Sequence, residues 1–383
     1  LQQQDVTIFE AAVLYNDLFI RIDILEKKGN RVNLIEVKAK SIDLNEDQFL
    51  TPRGNIQSAW APYLYDAAFQ KYVLTKAFPD YEVSAYLMLA NKNAKASVDG
   101  LNQRFLLQQD KRGRTYAKVT DTSDTGSKLL TTVKVDNEAD IIYGKRYTLE
   151  NVDLSFEEYV HHLADAYVNN RKIDHPIGKY CGSCEFQASD EQMAGGRRNG
   201  FKECWQARTA LKEDDFKEQL IFSLWNFRGK QGLIDNSIYL LKDIDESLFS
   251  EDPGNEPGLT PDQRKRLQIQ KVKNRDNTPY IDRAGLKAEM DTWVFPLHMI
   301  DFETTAVAIP FNSGRRPYEG IAFQFSHHVI YDDGTVEHKG QFLNAEQGHF
   351  PNYDFIRALK AELDSDKGSV FRYATHENTY LNM

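Results

Sequence analysis

LIEVKAK, residues 34–40, sets a glutamate and a lysine two apart inside an apolar stretch, and the direction in which those two charges point decides the fold. Leu34, Ile35 and Val37 are strand formers, and FIRIDILEKK, residues 19–28, alternates in the same way. The two runs meet at Gly29-Asn30, a recognised two-residue hairpin turn. With those residues as the loop, Lys28 faces Arg31, Asp23 faces Glu36 and Arg21 faces Lys38, so Arg21, Asp23, Glu36 and Lys38 leave one face. That register opposes carboxylate to carboxylate and cation to cation, which is destabilising. A divalent cation between Asp23 and Glu36 offsets it, because hard cations such as Mg²⁺ take oxygen ligands, and Lys38 stands ready to stabilise charge on phosphate or hydroxide. The alternative is a solvated sheet face, the commoner meaning of such alternation. A one-residue slip would disperse the cluster.

Length and composition bound the function. A chain of 383 residues suggests two or three domains, and 41% hydrophobic with 12% aromatic content marks it as globular. No apolar run approaches the roughly 18 residues of a membrane span, and no secretory signal pattern is present. Three cysteines argue for a reducing, cytoplasmic compartment and against a disulfide scaffold. The net charge of −10 disfavours tight non-specific binding to nucleic acid. GRRNGFK (196–202) and QRKRLQIQKVKNR (263–275) are the basic stretches, each read first as a solvated face and second as a DNA contact.

Asp23 with Glu36-x-Lys38 on the next strand resembles the core of the PD-(D/E)XK nucleases, in the RecB-like branch that includes the CRISPR-associated exonucleases. The resemblance implies that Asp23 and Glu36 bind Mg²⁺ or Mn²⁺ and that Lys38 positions or activates the attacking water. Gln70, in the helix-like AWAPYLYDAAFQKYVLTKAF (59–78), matches the glutamine of that branch. The tyrosine usual four residues on is Leu74 here, with Tyr72 a near substitute. Glu10 of IFEAA is a further candidate ligand, or an ordinary solvated glutamate.

Cys181-Gly-Ser-Cys184 presents two thiolates to one metal, and Cys204 follows in ECWQA. A second Cys-x-x-Cys is missing because position 207 is Ala, and His175 is either a fourth zinc ligand or a turn residue beside Pro176. In many RecB-like nucleases a [4Fe–4S] cluster is held by one cysteine upstream of the core and three downstream. The resemblance assigns Cys181, Cys184 and Cys204 to the latter, with the fourth expected before Leu1 and zinc as the alternative.

Farther along, YEVSAYLMLAN (81–91) reads as a strand and LSFEEYVHHLADAYVNNRK (154–172) as a helix whose adjacent His161 and His162 do not share a face. Residues 205–248 read as mostly helical, LFSEDPGNEPGLTPDQ (248–263) as a linker, and Thr260-Pro261 as a helix start. In PLHMIDFETT (296–305) a buried strand delivers Asp301 and Glu303 to one face. IAFQFSHHVIYDDGTVEHKGQFL (321–343) reads as two strands around an Asp-Gly turn, YDFIRALKAELDSD as a helix, and GSVFRYATHENTYL (368–381) as a strand passing into a helix. The Asp-x-Glu strand end resembles the opening motif of the DnaQ-like DEDD exonucleases, where it holds two metal ions. The resemblance puts Glu377 at the second acidic position, normally Asp, and the remaining elements beyond Met383.

Together with MIDFETTAVAIPFNSGRRPYEGIAFQFSHHVI, these motifs resemble an uncharacterised bacterial domain-of-unknown-function family that joins an iron–sulfur RecB-like nuclease module to a DnaQ-like module. The expected fold is α/β: a restriction-endonuclease-like nuclease with its cysteine region over 1–210, a helical connector over 211–290, and a partial ribonuclease H-like domain over 291–383. The expected function is metal-dependent hydrolysis of DNA, in repair or in defence against foreign DNA. RNA is the rival substrate, and a catalytically idle scaffold binding nucleic acid or protein is the rival of another class. Arg316, Pro317 and Tyr318 either line the substrate path or shape a loop.

Overall fold

The computed structural model describes residues 2–46, 48–255 and 257–382 and is mixed α/β, with separate sheets in one unit and a helical second unit. A meander, β1 (Asp5–Tyr15), β2 (Leu18–Lys28) and β3 (Arg31–Ile42), contains the expected hairpin. Lys28 pairs with Arg31 and Ile24 with Ile35, and Gly29 supplies the positive φ of the turn. Helix α1 (Ala61–Ala77) crosses to β4 (Glu82–Asn91), which runs parallel to β3. A side hairpin, β5 (Phe105–Gln109) and β6 (Thr115–Val119), precedes β7 (Leu130–Lys134), and the main sheet has the order β1-β2-β3-β4-β7. Ile22, Leu34 and Leu87 of the sheet meet Leu64, Ala67 and Val73 of α1 in one fully buried core. The chain continues through α2 (Asp136–Tyr143), the short pair β8 (Tyr147–Leu149) and β9 (Val152–Leu154), and α3 (Phe156–Val168). Asp136 ties three elements together by accepting from Ala85 N–H and Lys71 Nζ (each 2.8 Å) and Lys134 Nζ (3.0 Å). Burial works to raise its carboxyl, but those donors outweigh it and hold the group below the usual carboxylate range.

The three strands of the meander change their inward-facing set at one level. On β2 the buried positions pass from Leu18, Ile20 and Ile22 to Leu25 and Lys27, and on β1 Ala11 and Val13 are buried on one side of Glu10 while Ile8 faces the core on the other. Leu34, Ile35 and Glu36 are buried in succession on β3. Glu10 sits at φ 54°, and the β1–β2 pairing skips it and Asp23. The ladder between β2 and β3 ends at Ile24 and Ile35, so the sheet opens at the level of the carboxylates.

Asp174–Thr292 forms a unit of its own. The unit contains α4 (Asp190–Ala194), α5 (Gly200–Gln206), α6 (Lys230–Asp235), α7 (Pro261–Lys273) and α8 (Arg283–Met290), and its core gathers Phe201, Trp205, Ile221, Leu233, Leu241 and Ile269 from α5, α6, α7 and intervening 3₁₀ turns. Cys181, Cys184 and Cys204 pack on this same core, so the boundary expected at 210 falls inside a single unit. Residues 205–248 are not mostly helical. Past the end of α5 only α6 and 3₁₀ turns form there, because Thr209, Asp215 and Asp245 bond to nearby backbone and close each turn early. Thr260 caps α7 as expected, in a capping box with Gln263.

The chain then returns to the first unit. Strands β10 (Leu297–Thr305), β11 (Ile321–Ile330) and β12 (Val336–Leu343) form an antiparallel meander, and after α9 (Asn352–Leu363) the short β13 (Val370–Phe371) lies parallel to β10. The order is β12-β11-β10-β13, closed by α10 (His376–Leu381). A buried polar chain runs beneath β13: Asp366 to His298 (2.8 Å), His298 to His327 (2.9 Å) and His327 to Glu362 (2.9 Å). Gly368 permits this approach, since a Cβ there would stand 1.9 Å from Pro296 O and 2.7 Å from His298 Nε2. Gly368→Ala is therefore expected to force β13 from β10 and to cost about 1–3 kcal/mol of stability, read from the denaturant midpoint. An unchanged midpoint would show that the close approach is not needed.

Candidate functional site

Glu36, on the central strand β3, is buried (7% exposed) and accepts two hydrogen bonds, from Lys38 Nζ (2.7 Å) and Gln70 Nε2 (2.8 Å). Lys38 Nζ also donates to Asp66 (2.7 Å), and Gln70 Nε2 to the other oxygen of Asp66 (3.1 Å). Asp66 and Gln70 are four apart on α1, hence on one helical face. The structure thus brings together Glu36, Lys38 and Gln70, as the sequence suggested, and adds Asp66, whose spacing from Gln70 was its only signal. Asp23 joins them by a different route from the one expected. Its carboxylate accepts the backbone N–H of Val37 (2.7 Å) in the opening between β2 and β3. Arg21 does not face Lys38; it pairs with exposed Glu10 on β1 (2.7 Å), which gives Glu10 an ordinary surface partner.

Two carboxylates share one ammonium, and the electrostatics follow. Burial pushes the Glu36 carboxyl up, Asp66 and Asp23 add to that, and the bonds from Lys38 and Gln70 offset only part. Burial works to lower the Lys38 ammonium, but its bonds to Asp66 and Glu36 outweigh it and raise the group above the ordinary lysine value. Buried Gln70 spends both N–H groups on carboxylates, and its Oε1 meets no donor among the described residues. Tyr72 points away, into the core against His161 (3.2 Å) and Phe156, and takes no part.

The second candidate site lies on β10. Asp301 and Glu303 are exposed on one face, opposite Ser326 and Gln324, while Ile300 and Phe302 face inward to Phe325 and Phe355. His376 Nε2 and Thr304 Oγ1 meet at 2.8 Å, which pins the start of α10 to the end of β10, beside Glu303 and Glu377. Glu377 is buried, and its Oε2 meets no donor among the described residues.

Cys181, Cys184 and Cys204 are half-buried free thiols, with Cys181 Sγ accepting Gly178 N–H (3.4 Å). Exposed His175 bonds to Tyr180 (2.8 Å), and His162 to Glu150 (2.8 Å). Among the described residues no three His, Cys, Asp or Glu side chains are grouped so as to hold a metal ion, and no helix is long and apolar enough to cross a membrane. Most cations of the two basic stretches are occupied with carboxylates: Arg198 with Glu203, Lys202 with Glu213, Lys265 with Asp262, Arg266 with Glu251, Lys271 with Asp276 and Lys273 with Glu246.

The shared ammonium makes opposite predictions for its partners. Lys38→Met strands two carboxylates and is expected to cost about 1–3 kcal/mol, read by thermal denaturation. A raised folded pKa means that the Glu36 contribution is fully present below the ordinary carboxylate value and lost as pH rises through the folded one. Glu36→Gln is accordingly expected to keep or raise the melting temperature near neutral pH, with the difference vanishing towards about pH 4. A large loss at neutral pH would mean that Glu36 is not under strain.

Residues 298–383, from β10 onward, match the family model of a domain of unknown function, DUF2779. No curated protein and no solved structure matches the chain.

Proposed function

We propose that the chain is a metal-dependent nuclease with two centres, acting on DNA. The observation that carries this is buried Glu36, held with Asp66 on one lysine beside Asp23. The first sheet supports it: an α-helix links parallel β3 and β4, and the Glu36-x-Lys38 unit rides on the middle strand, as in the PD-(D/E)XK arrangement. The order β12-β11-β10-β13, with Asp301 and Glu303 leaving β10, agrees with a ribonuclease H-like sheet of the DnaQ-like kind.

The donor set fits a hard cation. It is all oxygen, and a carboxylate whose burial raises its pKa gains from added positive charge. Asp23 and Glu36 would hold Mg²⁺ or Mn²⁺, which when bound supplies charge neutralisation on a phosphoryl oxygen and acidifies water. Lys38, raised above the ordinary lysine value, stays an ammonium near neutral pH. Two of its protons go to Glu36 and Asp66, and the third remains for a phosphate oxygen. Its role is to position and to stabilise charge; it does not take a proton from water. Gln70 aims both carboxylates. In the second centre Asp301 and Glu303 would hold the ion, and the unpartnered Glu377 oxygen, costly to bury as it stands, supports a cation nearby. For the three thiols a [4Fe–4S] cluster, with zinc as the alternative, rests on the cysteine spacing alone, since the thiols are not grouped as metal ligands among the described residues, and no catalytic step passes through them.

Anaerobically purified protein is expected to cleave end-labelled DNA with Mg²⁺ or Mn²⁺ and not with chelator. RNA in parallel distinguishes the substrates. Lys38→Ala and Asp301→Ala should each lower the cleavage of their own centre by about 10²–10³-fold, and the double variant should abolish it. Cleavage untouched in the double variant, or absent from the wild type with every metal and substrate, would leave the scaffold role in place of the nuclease. The same preparation should show broad visible absorbance that Cys181→Ser removes; a colourless protein carrying zinc would reassign the thiols.

A further inference from the structure

Residues 306–320 leave the sheet that carries Asp301 and dock on the segment that follows β4 of the sheet carrying Glu36. Ala96 N–H donates to Arg315 O (2.9 Å), Gly314 N–H to Ala96 O (2.7 Å) and Gly100 N–H to Phe311 O (2.7 Å). Ser313 N–H reaches the Asp99 carboxylate (2.7 Å), and Ile309 packs on Ala96, Leu101 and Leu129. Docking leaves an open cleft of about 440 Å³ whose walls include Ser41, Lys92, Lys95, Arg316 and Tyr318. Ser41 belongs to β3, just past Lys38-Ala39-Lys40, and Lys92 leaves the end of β4 with its N–H on Ile42 O (3.0 Å).

The cleft is basic in a chain of net charge −10. Lys92, Lys95, Arg315 and Arg316 line it against the single carboxylate of Glu319. Glu319 is already taken up by Arg315 Nη1 (3.1 Å) and Arg316 N–H (2.8 Å), and the Arg315 guanidinium is stacked 3.7 Å over Phe350. The Lys95 ammonium and Arg316 guanidinium are exposed, with no carboxylate partner among the described residues. Most cations of 196–202 and 263–275, by contrast, are ion-paired. Tyr318 is held at φ 60°, a conformation strained for a bulky residue, by its N–H bond to Val307 O (2.8 Å). Burial, and then neighbouring Tyr63, raise its phenol. Tyr63 in turn lies 5.0 Å from Lys40 Nζ and 6.0 Å from Lys38 Nζ, so an aromatic path joins the cleft to the first site.

We propose that this cleft binds the phosphodiester backbone of a nucleic-acid strand running past Glu36 and Lys38, and that residues 306–320 complete it from the second sheet. The inference rests on the nuclease reading for the identity of the polyanion. Unpaired cations on two elements suit a string of phosphates, and the Tyr318 ring offers a face for a base.

The test is fluorescence anisotropy of a labelled single-stranded DNA with the full chain in chelator, over a range of salt. Lys95→Glu and Arg316→Glu are each expected to weaken binding and to lower the slope of log affinity against log salt by about 1, and the double variant by about 2. Lys118→Glu, an exposed cation on β6, should change neither. Unaltered melting temperatures would show that the surface variants fold. Wild-type affinity and slope in the double variant, an equal loss in Lys118→Glu, or no binding by the wild type would each overturn the proposal. Cleavage with Mg²⁺ is read separately. Cleft-dependent binding without cleavage removes the nuclease and keeps the cleft, while cleavage by a double variant of undiminished affinity does the reverse.

Discussion

One ammonium, Nζ of Lys38, lies between Glu36 on its own strand and Asp66 on α1, and the first sheet is arranged around it. Like charges repel strongly where one of them is buried, and Glu36 has too little water to disperse its charge. The lysine binds the middle strand to the helix that crosses over it, while Gln70 closes the ring from one turn farther along. The meander pays locally, by abandoning its regular alternation where Glu10, Asp23 and Glu36 fall at one level.

That arrangement was partly legible. A Gly-Asn turn between two alternating runs fixes register by counting, and the pairing of Lys28 with Arg31 through Ile24 with Ile35 follows the count. What counting cannot show is how the repulsion is relieved. The strands part, Asp23 turns to the backbone of Val37, and Arg21 turns to β1. Asp66 could be found only by stepping one helical turn back from Gln70. The β10–β12 meander and α9 were visible because period-2 runs are separated by Asp-Gly, whose Gly334 adopts φ 83°. Residues 205–248 misled because apolar doublets separated by Asp, Ser and Thr have the content of a helix but the local bonding of turns. The docking of residues 306–320 beside Ala96 had no signal at all, since neither periodicity nor a motif records a contact between such distant segments.

The second sheet is organised by closeness more than by charge. Two glycines flank its buried histidine chain. A Cβ on Gly340 would stand 2.2 Å from the Glu362 carboxylate, as one on Gly368 would strike His298. The polar groups stay satisfied because those positions carry no side chain, and this lets β13 bring α10 against the end of β10.

The first unit is discontinuous in the chain, running through Ile173 and resuming at Trp293. During synthesis Ala96, Leu101 and Leu129 must emerge long before Ile309, Gly314 and Arg315 exist to cover them. The whole of Asp174–Thr292 leaves the ribosome in that interval. If it folds as a unit on arrival, it turns a long flexible excursion into a compact one, and the entropy of bringing the two halves together falls accordingly. The inserted unit is then a timer for the unit it interrupts, and the basic cleft exists only after that interval has passed.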